Sequence, residues 1–361
     1  MKEHHLVSWS ATVLLALVAI CGLEQSSPAQ NPKAVLQTNG PGVNCLAFSP
    51  EGTMIAVACE NSDVELWEVR TGERQSTLRG HTGPVQSVGF SGNGRLLASC
   101  GVDGTIRLWD MTTGKTMATL RRGKGSISSV AFSPDSKLLA SGGDDRAVEV
   151  WDVDTGKLRS TFRGHTKGQI TLFGHTVMSV AFSPDGKLLA SAGADGMVKL
   201  WDVARDRLKA TLIGSSSKGI RSVAFGGDGK LLASGGCDGN VKLWDVATGK
   251  VKAVLKGHKW TVSSVAFSPD GKLLASVSGN GIGDEEWEEP PERCYEINVW
   301  DVATGRVLAR LSGETGQMWS VAFSPDGKLL GTGDWTDIAF PNDGPGRVRL
   351  WDVQVILKAK K

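Results

Sequence analysis

The chain has 361 residues and a nearly balanced formal charge, with 40 Lys and Arg against 38 Asp and Glu. Because 40% of the residues are hydrophobic and only 22% are charged, the composition excludes a disordered chain and a polybasic arm for nucleic acid. There are 12 tryptophans against a single tyrosine, and 46 glycines. This skew indicates a repeated motif that reuses tryptophan and turn glycines within one architecture.

The first 29 residues differ from the rest of the chain. A basic residue precedes a run of 13 mostly apolar residues at 11–23, and small residues follow at Ser27 and Ala29. These features are typical of a secretory signal peptide. The run is shorter than the ~20 residues that span a bilayer, so cleavage is favoured over a retained membrane anchor. We therefore expect a signal peptide at residues 1–29 and a folded domain at residues 33–361.

The remaining composition favours an exported bacterial protein. Five cysteines follow the leader, an odd number without a disulfide-framework spacing, and there is no Asn-x-Ser/Thr acceptor site. The sequence therefore predicts a periplasmic or extracellular location in the bacterial envelope, with membrane anchoring if the leader is retained. No second segment is apolar enough to span a membrane, and a monomer is expected.

Tryptophans recur at the end of equivalent segments along the folded domain. They are Trp67, Trp109, Trp151, Trp201, Trp244, Trp300 and Trp351. Their spacings are 42, 42, 50, 43, 56 and 51 residues. Each unit reads as four short strands: V-x-S-V-A-F, then K-L-L-A-S after an S-P-D-G hairpin, then V-K-L-W-D-V, then a last strand after a T-G-K turn. Four-stranded units of about 40 residues are typical of propeller blades.

These motifs resemble the WD-repeat family over essentially the whole chain from Lys33 onward, because G-H, S-P-D-G, L-A-S-G, D-G and W-D recur together at fixed offsets. The resemblance implies an all-β fold, a seven-bladed β-propeller of four-stranded antiparallel blades. It also implies that an N-terminal strand closes the last blade. The AVLQ segment at 34–37 is similar to the outer strand AVLK at 253–256. The segment 355–357 is the alternative strand for that edge.

One repeat contains His81, Ser99 and Asp103, which invites comparison with a catalytic triad. Catalysis would require an exposed nucleophile and an oxyanion hole. The resemblance implies instead that these three residues and Trp109 form a buried hydrogen-bond chain from Trp to Ser to His to Asp. Since losing a buried partner costs ~1–3 kcal/mol, the largest stability losses are expected for His81→Ala and Asp103→Ala.

The implied quartets are unevenly complete in the other repeats. The fourth has Ser191, Asp195 and Trp201 with either His165 or His175, and the sixth has His258, Ser276 and Trp300 with its acidic position obscured by an insertion. The third, fifth and seventh lack the histidine. The first keeps only Trp67, with Val57 and Asn61 at the Ser and Asp positions.

Three insertions distinguish the two faces of the expected propeller. Relative to a period of 42, excesses of 8, 14 and 9 residues fall near 167–174, 277–296 and 333–347. The first joins an outer strand to the next blade, and the other two join the second and third strands of a blade. Because the strands of a blade are antiparallel, all three emerge from one face. Insertions on a rigid scaffold are where binding specificity is elaborated, so binding is predicted there.

Four tryptophans outside the repeat positions fall on or near that face, in the sixth and seventh units. They are Trp260, Trp287, Trp319 and Trp335. Tryptophan is enriched at binding hot spots, although these side chains could instead pack the long loops onto the propeller. Trp319 stands where other units have Gln86 and Ser263, a position that the resemblance implies at the channel mouth.

The insertion of the sixth unit is strongly acidic, with seven carboxylates near a single arginine. Glu285 and Glu288 are the candidate contacts for a basic peptide or a cation, and Glu296 ends the run. A solvated loop tip is the alternative interpretation. The spacing of the carboxylates matches no calcium loop.

These observations predict a non-catalytic interaction scaffold that binds a protein or peptide through the face with the long loops of the fourth, sixth and seventh blades. No cofactor or metal is expected, because no metal-spaced His/Cys cluster, phosphate loop or G-x-S-x-G motif is present. The near-neutral charge argues against direct nucleic-acid contact. One alternative is an enzyme or small-ligand binder that uses the channel, similar to lactonase or quinoprotein propellers. Another is an intracellular protein with chromatin or ribosomal partners.

Overall fold

The computed structural model describes residues 31–121, 125–166, 176–215, 218–279, 295–313, 317–335 and 345–358. These residues form 28 strands and one short helix. The predicted signal peptide and most of the three insertions lie outside the described residues.

The strands follow one another in groups of four. Those of blades 1 to 4 are β2 (Val43–Phe48), β3 (Met54–Cys59), β4 (Val64–Glu68) and β5 (Arg74–Leu78); β6 (Val85–Phe90), β7 (Leu96–Gly101), β8 (Thr105–Asp110) and β9 (Thr116–Arg121); β10 (Ile127–Phe132), β11 (Leu138–Gly143), β12 (Ala147–Asp152) and β13 (Leu158–Arg163); β14 (Val177–Phe182), β15 (Leu188–Gly193), β16 (Met197–Asp202) and β17 (Arg207–Ile213). Those of blades 5 to 7 are β18 (Ile220–Phe225), β19 (Leu231–Gly236), β20 (Asn240–Asp245) and β21 (Val251–Lys256); β22 (Val262–Phe267), β23 (Leu273–Gly279), β24 (Tyr295–Asp301) and β25 (Val307–Gly313); β26 (Gln317–Phe323), β27 (Leu329–Trp335), β28 (Arg347–Asp352) and β1 (Ala34–Gln37).

Each blade is one antiparallel sheet with its strands in sequence order, except the last. Blade 7 has the order β1-β28-β27-β26, so the N-terminal strand forms its outer edge. The register runs from Ala34 opposite Leu350 to Gln37 opposite Arg347. The predicted seven-bladed propeller and its closure are confirmed. Residues 355–357, the alternative for that edge, lie in the helix α1 (Val353–Lys358).

The core consists of seven apolar clusters, each between two neighbouring blades. Trp109 of blade 2, for example, packs in one cluster with Ala56, Val64 and Leu66 of blade 1. Both faces of each sheet are covered, which explains why the K-L-L-A-S strands carry almost continuous burial. The tryptophan at the end of the third strand therefore packs between two blades, and its buried indole N–H needs a hydrogen-bond acceptor inside the core.

A ring of polar contacts joins the innermost strands around the central channel. One equivalent position of the innermost strand is serine in six blades, the third residue of the strand in blades 2 to 6 and the fourth, Ser320, in blade 7. Each hydroxyl lies 3.0–3.3 Å from a backbone nitrogen of the next blade, whose N–H it accepts. Blade 1 has Cys45 at this position, and burial raises the pKa of its thiol. These contacts between blades hold the preceding residue of each innermost strand at the channel.

The connections divide the propeller into two faces. We call the loop face the one with the connections that follow the outer and the second strands, such as 79–84 and 102–104 in blade 2. The hairpin face carries the other two turns, such as 91–95 and 111–115. The three long insertions join β13 to β14, β23 to β24 and β27 to β28, so their flanking strands end at the loop face.

Candidate functional site

Blade 2 contains a continuous chain of four hydrogen-bonded side chains. Trp109 Nε1 lies 2.8 Å from Ser99 Oγ, Ser99 Oγ lies 2.7 Å from His81 Nε2, and His81 Nδ1 lies 2.9 Å from Asp103 Oδ2. Because an ionised Asp103 only accepts, Nδ1 carries the imidazole proton and the Ser99 hydroxyl donates to Nε2. Ser99 is fully buried. Its hydroxyl is thus used within the fold and is not an exposed nucleophile.

The ionisation states of His81 and Asp103 in this hydrogen-bonded chain follow from their burial and their hydrogen bonds. Burial lowers the pKa of His81, against the opposing pull of Asp103. Burial would by itself raise the pKa of Asp103, but the Thr82 N–H and the Thr105 hydroxyl donate to the carboxylate and hold its pKa below the ordinary value. A neutral imidazole therefore donates to a charged carboxylate. The Thr82 contact also ties two neighbouring connections of the loop face together.

Blade 4 has an equivalent chain built on His165. Its Nε2 lies 2.8 Å from Ser191 Oγ and its Nδ1 lies 3.0 Å from Asp195, while Trp201 donates to Ser191 over 2.9 Å. Of the two histidines that the sequence left open, His165 is the one in contact with Ser191. His175 lies outside the described residues.

Blade 6 completes its chain with a glutamate. His258 lies 2.6 Å from Ser276, which also accepts from Trp300, and Glu296 Oε2 lies 3.2 Å from His258 Nδ1. Glu296 comes four residues before its tryptophan, whereas Asp103 comes six before Trp109. The longer side chain compensates for this offset. The sequence assigned Glu296 to the acidic run, but it lies in β24 and replaces the missing Asp.

The other blades satisfy the tryptophan without histidine. The indole donates to a hydroxyl in blades 3, 5 and 7, over 3.0, 2.9 and 3.0 Å, to Ser141, Ser234 and Thr332. In blade 1 it donates over 3.1 Å to Glu65, a fully buried carboxylate. Arg74 Nη1 and the Asn39 N–H donate to the other oxygen of Glu65, over 3.0 and 2.9 Å. Sequence reasoning missed Glu65, although it stands two residues before Trp67 with Val57 at the serine position.

The mouth of the central channel forms a cavity of about 370 Å³. The residue just before this serine or cysteine position contributes to the wall in every blade: Asn44, Gln86, Ser128, Met178, Arg221, Ser263 and Trp319. Glu60 and Val102, which follow second strands, and Ser126, which follows an outer strand, also line it. Because these three residues belong to loop-face connections, the cavity opens on the loop face.

Of the candidate binding tryptophans, the structure places Trp319 at the channel mouth. The guanidinium carbon of Arg221 lies 5.2 Å from the centre of the Trp319 ring, which is a cation–π geometry. Trp260 is half-buried in the connection before β22, with the Lys259 ammonium 4.9 Å from its ring, and is not among the residues that line the cavity.

The remaining candidates cannot be placed at this cavity. Trp335 ends β27 opposite Gln317, but its side chain is outside the described part of the structure. Trp287, Glu285 and Glu288 lie in the undescribed segment 280–294. Among the residues that are described, no group of three His, Cys, Asp or Glu side chains is arranged to hold a metal ion. None of the described helical segments has the length and hydropathy of a membrane span.

The hairpin face has short turns whose polar groups are used locally. In four blades a serine hydroxyl donates to the aspartate two residues later over 2.6 Å, from Ser133 to Asp135, Ser183 to Asp185, Ser268 to Asp270 and Ser324 to Asp326. The serine bond holds the pKa of each of these carboxyls below its ordinary value. The backbone N–H of the following lysine donates to the same carboxylates.

A family model described as "WD domain, G-beta repeat" matches seven segments of the chain, at residues 30–68, 72–110, 114–152, 156–202, 206–245, 249–282 and 305–352. Each segment begins just before an outer strand. Six of the seven end one residue after the repeat tryptophan of the next blade. Each sequence repeat therefore contributes to two blades, which is why the first outer strand is left to close the ring.

Three curated relatives match shorter parts of the chain. The Periodic tryptophan protein 2 homolog of Neurospora crassa is 39% identical over 59 residues, covering 16% of this chain and 6% of the relative. Nuclear distribution protein PAC1 of Gibberella zeae is 38% identical over 58 residues, covering 16% and 13%. Nuclear distribution protein nudF 2 of Aspergillus clavatus is 34% identical over 59 residues, covering 16% and 14%. The chain thus matches less than a sixth of the length of each of these relatives.

The predicted export to a bacterial envelope is wrong in light of these relatives. They are fungal proteins, and the names of two refer to nuclear distribution. Export was inferred from the apolar leader at residues 1–29, and a bacterial envelope from the odd cysteine count and the lack of a glycosylation site, but a reducing compartment leaves cysteines unpaired equally well. Cys45, Cys59, Cys100 and Cys237 are all free thiols. These composition features therefore do not discriminate between compartments.

Proposed function

The chain belongs to the WD-repeat family, and from this premise we propose that it is a non-catalytic protein-interaction scaffold. It binds a protein or peptide through the loop face, where the long connections of blades 4, 6 and 7 emerge. The observation that carries the proposal is the cavity at the channel mouth, with Trp319 in its wall. A tryptophan that lines a cavity of a rigid propeller is typical of a binding hot spot.

The contrast between the two faces supports this choice of surface. On the hairpin face the turn carboxylates already accept hydrogen bonds from their own serines and backbone amides. The loop face has the cavity and the three connections that depart from the repeat length. The loop face therefore offers a partner a recess, whereas the turn carboxylates of the hairpin face already have hydrogen-bond donors within their own turns.

The His–Ser–Asp chains support a scaffold rather than a hydrolase. Ser99 and Ser191 are fully buried, and each hydroxyl lies between an indole N–H and an imidazole. A substrate cannot reach either oxygen without opening the blade interface. The chains instead hold the loop-face connections in place, as the Thr82 and Thr166 N–H bonds to Asp103 and Asp195 illustrate.

The proposal is tested by affinity capture from extracts of the native cells, with matched surface variants. One variant replaces Trp260, Trp287 and Trp319 by alanine, and the control replaces the exposed hairpin-face lysines Lys187, Lys230 and Lys272. We expect partners recovered by the wild type to be retained by the lysine variant and lost by the tryptophan variant. Circular dichroism of both variants must show the wild-type spectrum.

Equal recovery of every partner by the tryptophan variant would exclude the loop face as the binding surface. If the lysine variant alone failed to recover the partners, the binding surface would be the hairpin face.

A further inference from the structure

We propose that the channel mouth binds a carboxylate of the partner, an Asp or Glu side chain on an extended peptide segment, with Arg221 as its ion-pair partner and Trp319 as its wall. The inference rests on the proposed function and specifies its chemistry. Arg221 lies in the cavity wall, makes no ion pair or hydrogen bond within the described residues, and is surrounded by hydroxyl donors.

The position of Arg221 follows from the sequence of the ring. It is the second residue of β18, so its backbone faces the channel in blade 5. The equivalent residue of blade 6 is Ser263, which is too small to fill the space between blades 5 and 7. The arginine side chain therefore extends past blade 6 to Trp319, where its guanidinium carbon lies 5.2 Å from the ring centre. Stacking orients the guanidinium but leaves its in-plane N–H groups available.

Arg221 is unlike the other arginines at comparable depth. Arg349 donates to Asp334, and Arg107 donates to the Gly80 carbonyl. Within the described residues Arg221 has neither an ion pair nor a hydrogen bond, and its Nε is buried. A ligand carboxylate would supply an acceptor for the Nη N–H groups, which make no hydrogen bond within the described residues.

The rest of the cavity wall also favours an acceptor. The buried Ser128 hydroxyl has no hydrogen-bond partner among the described residues. Ser129, Ser179 and Ser222 accept backbone N–H groups, which leaves each hydroxyl proton free to donate. The carboxylate of Glu60 accepts instead from Asn44, over 2.8 Å. Although Glu60 places one carboxylate in the wall, the cavity also offers a cation and several hydroxyl donors to an incoming anion.

The size and shape of the site favour a side chain over a large ligand. A volume of about 370 Å³ lies at the lower end of ligand pockets and admits a few side chains of a peptide. A basic side chain entering the same space would meet the Arg221 charge. An acidic residue would place its carboxylate against the guanidinium and its methylene groups against the Trp319 ring.

The test uses a phage-displayed library of random 12-residue peptides selected on the full chain. Each selected peptide is then synthesised with its acidic residue and with the corresponding Asn or Gln. Isothermal titration calorimetry compares both forms on the wild type, Arg221→Gln and Arg221→Lys. We expect the selected peptides to share an acidic residue. Replacing the acidic residue of the peptide by its amide, or Arg221 by glutamine, should each weaken binding by roughly tenfold or more. The affinity of Arg221→Lys should lie between those of the wild type and Arg221→Gln.

Two controls separate the site from its surroundings. Arg159→Gln removes the same charge from the exposed strand β13 and should bind the selected peptides as the wild type does. In a double-mutant cycle, the amide peptide should lose no further affinity on Arg221→Gln, because each change removes the same ion pair.

The outcomes distinguish this inference from the proposed function. Peptides without a shared acidic residue, or peptides that bind Arg221→Gln as tightly as the wild type, would overturn the carboxylate site. If those peptides still lost affinity on Trp319→Ala, the loop face would stand as the binding surface. If no selected peptide distinguished the wild type from Trp319→Ala, both proposals would fail.

Discussion

In blade 2 the Trp109 indole donates to Ser99, and the chain continues through His81 to Asp103, whereas in blade 1 the Trp67 indole donates directly to the Glu65 carboxylate. Both arrangements satisfy an indole N–H that is wedged between blades, where no water can accept it. Blade 2 uses a relay of four side chains that ends in a charge near the surface. Blade 1 brings the charge into the core itself.

The two arrangements also stabilise different parts of the ring. The blade 2 relay joins two loop-face connections, because the Thr82 N–H of the 79–84 connection donates to Asp103 in the 102–104 connection. Glu65 accepts the N–H of Asn39, which follows the closing strand β1, and the guanidinium of Arg74 in β5. Glu65 therefore links blade 1 to the strand that closes blade 7. Its loss should affect closure of the ring as well as one blade.

The largest effect is expected for Glu65→Ala. The change leaves the Trp67 indole, the Asn39 N–H and the Arg74 guanidinium without their acceptor. Breaking a buried ion pair costs ~3–5 kcal/mol, and we expect the lower end because the Arg74 side chain is 33% exposed. Urea unfolding followed by tryptophan fluorescence measures the loss. Glu68→Ala, on the same strand, loses only exposed contacts with Arg70, Thr71 and Gln75 and should change the unfolding free energy much less.

This expectation revises the ranking drawn from the sequence, which placed His81→Ala and Asp103→Ala first. If Glu65→Ala unfolded at the same urea concentration as the wild type, the carboxylate would have no structural role and the original order would stand.

A smaller effect is expected in blade 2, where His81→Ala and Asp103→Ala should each lower the free energy of unfolding by ~1–3 kcal/mol. Both remove a neighbour from the same relay, so the double variant should lose little more than the worse single variant. Thermal and urea denaturation of the three proteins measure the coupling. Neutral single variants, or fully additive losses, would contradict a continuous relay.

The repeat architecture was readable from the sequence because its determinants are local. The S-P-D-G hairpins and the W-D ending define the four-stranded units without knowledge of long-range contacts, and the resemblance to the WD-repeat family implied the ring of seven blades and its closure. The repeat alignment made Trp319 equivalent to Gln86 and Ser263, and the resemblance to the WD-repeat family implied that this position lies at the channel mouth.

The exceptions depend on contacts that the repeat pattern does not encode. Glu65 stands in V-E-L-W, and in a sheet covered on both faces alternation does not separate buried from exposed positions. The position of Glu296 depends on where β24 begins, which a 14-residue excess obscures. The Arg221–Trp319 stack joins two blades that are not neighbours. It forms only because Ser263 between them is small.

The smallest expected effect is on the pH dependence of the unfolding free energy, to which the histidine of blade 2 contributes and blade 1, which has no histidine, does not. Burial lowers the pKa of His81 below its ordinary value of 6.5, so the native state binds this proton less readily than the unfolded chain does. The stability that His81 contributes is therefore fully present above about pH 6.5 and is lost as the pH falls through that value towards the lower native pKa. The pKa values of Asp103, Asp195 and Glu296 are also lowered, but their contributions are lost only at more acidic pH.

Urea unfolding at about pH 7.5, about pH 6.5 and about pH 5.5 should thus show a loss of stability in the wild type. His81→Gln should flatten that loss, because glutamine does not titrate in this range. Glu65→Gln keeps His81 and should retain the wild-type slope even though its overall stability is lower. A His81→Gln slope equal to that of the wild type would show that the blade 2 imidazole does not carry the pH dependence. The two ways of holding the tryptophan would then differ in strength alone, and not in their response to protons.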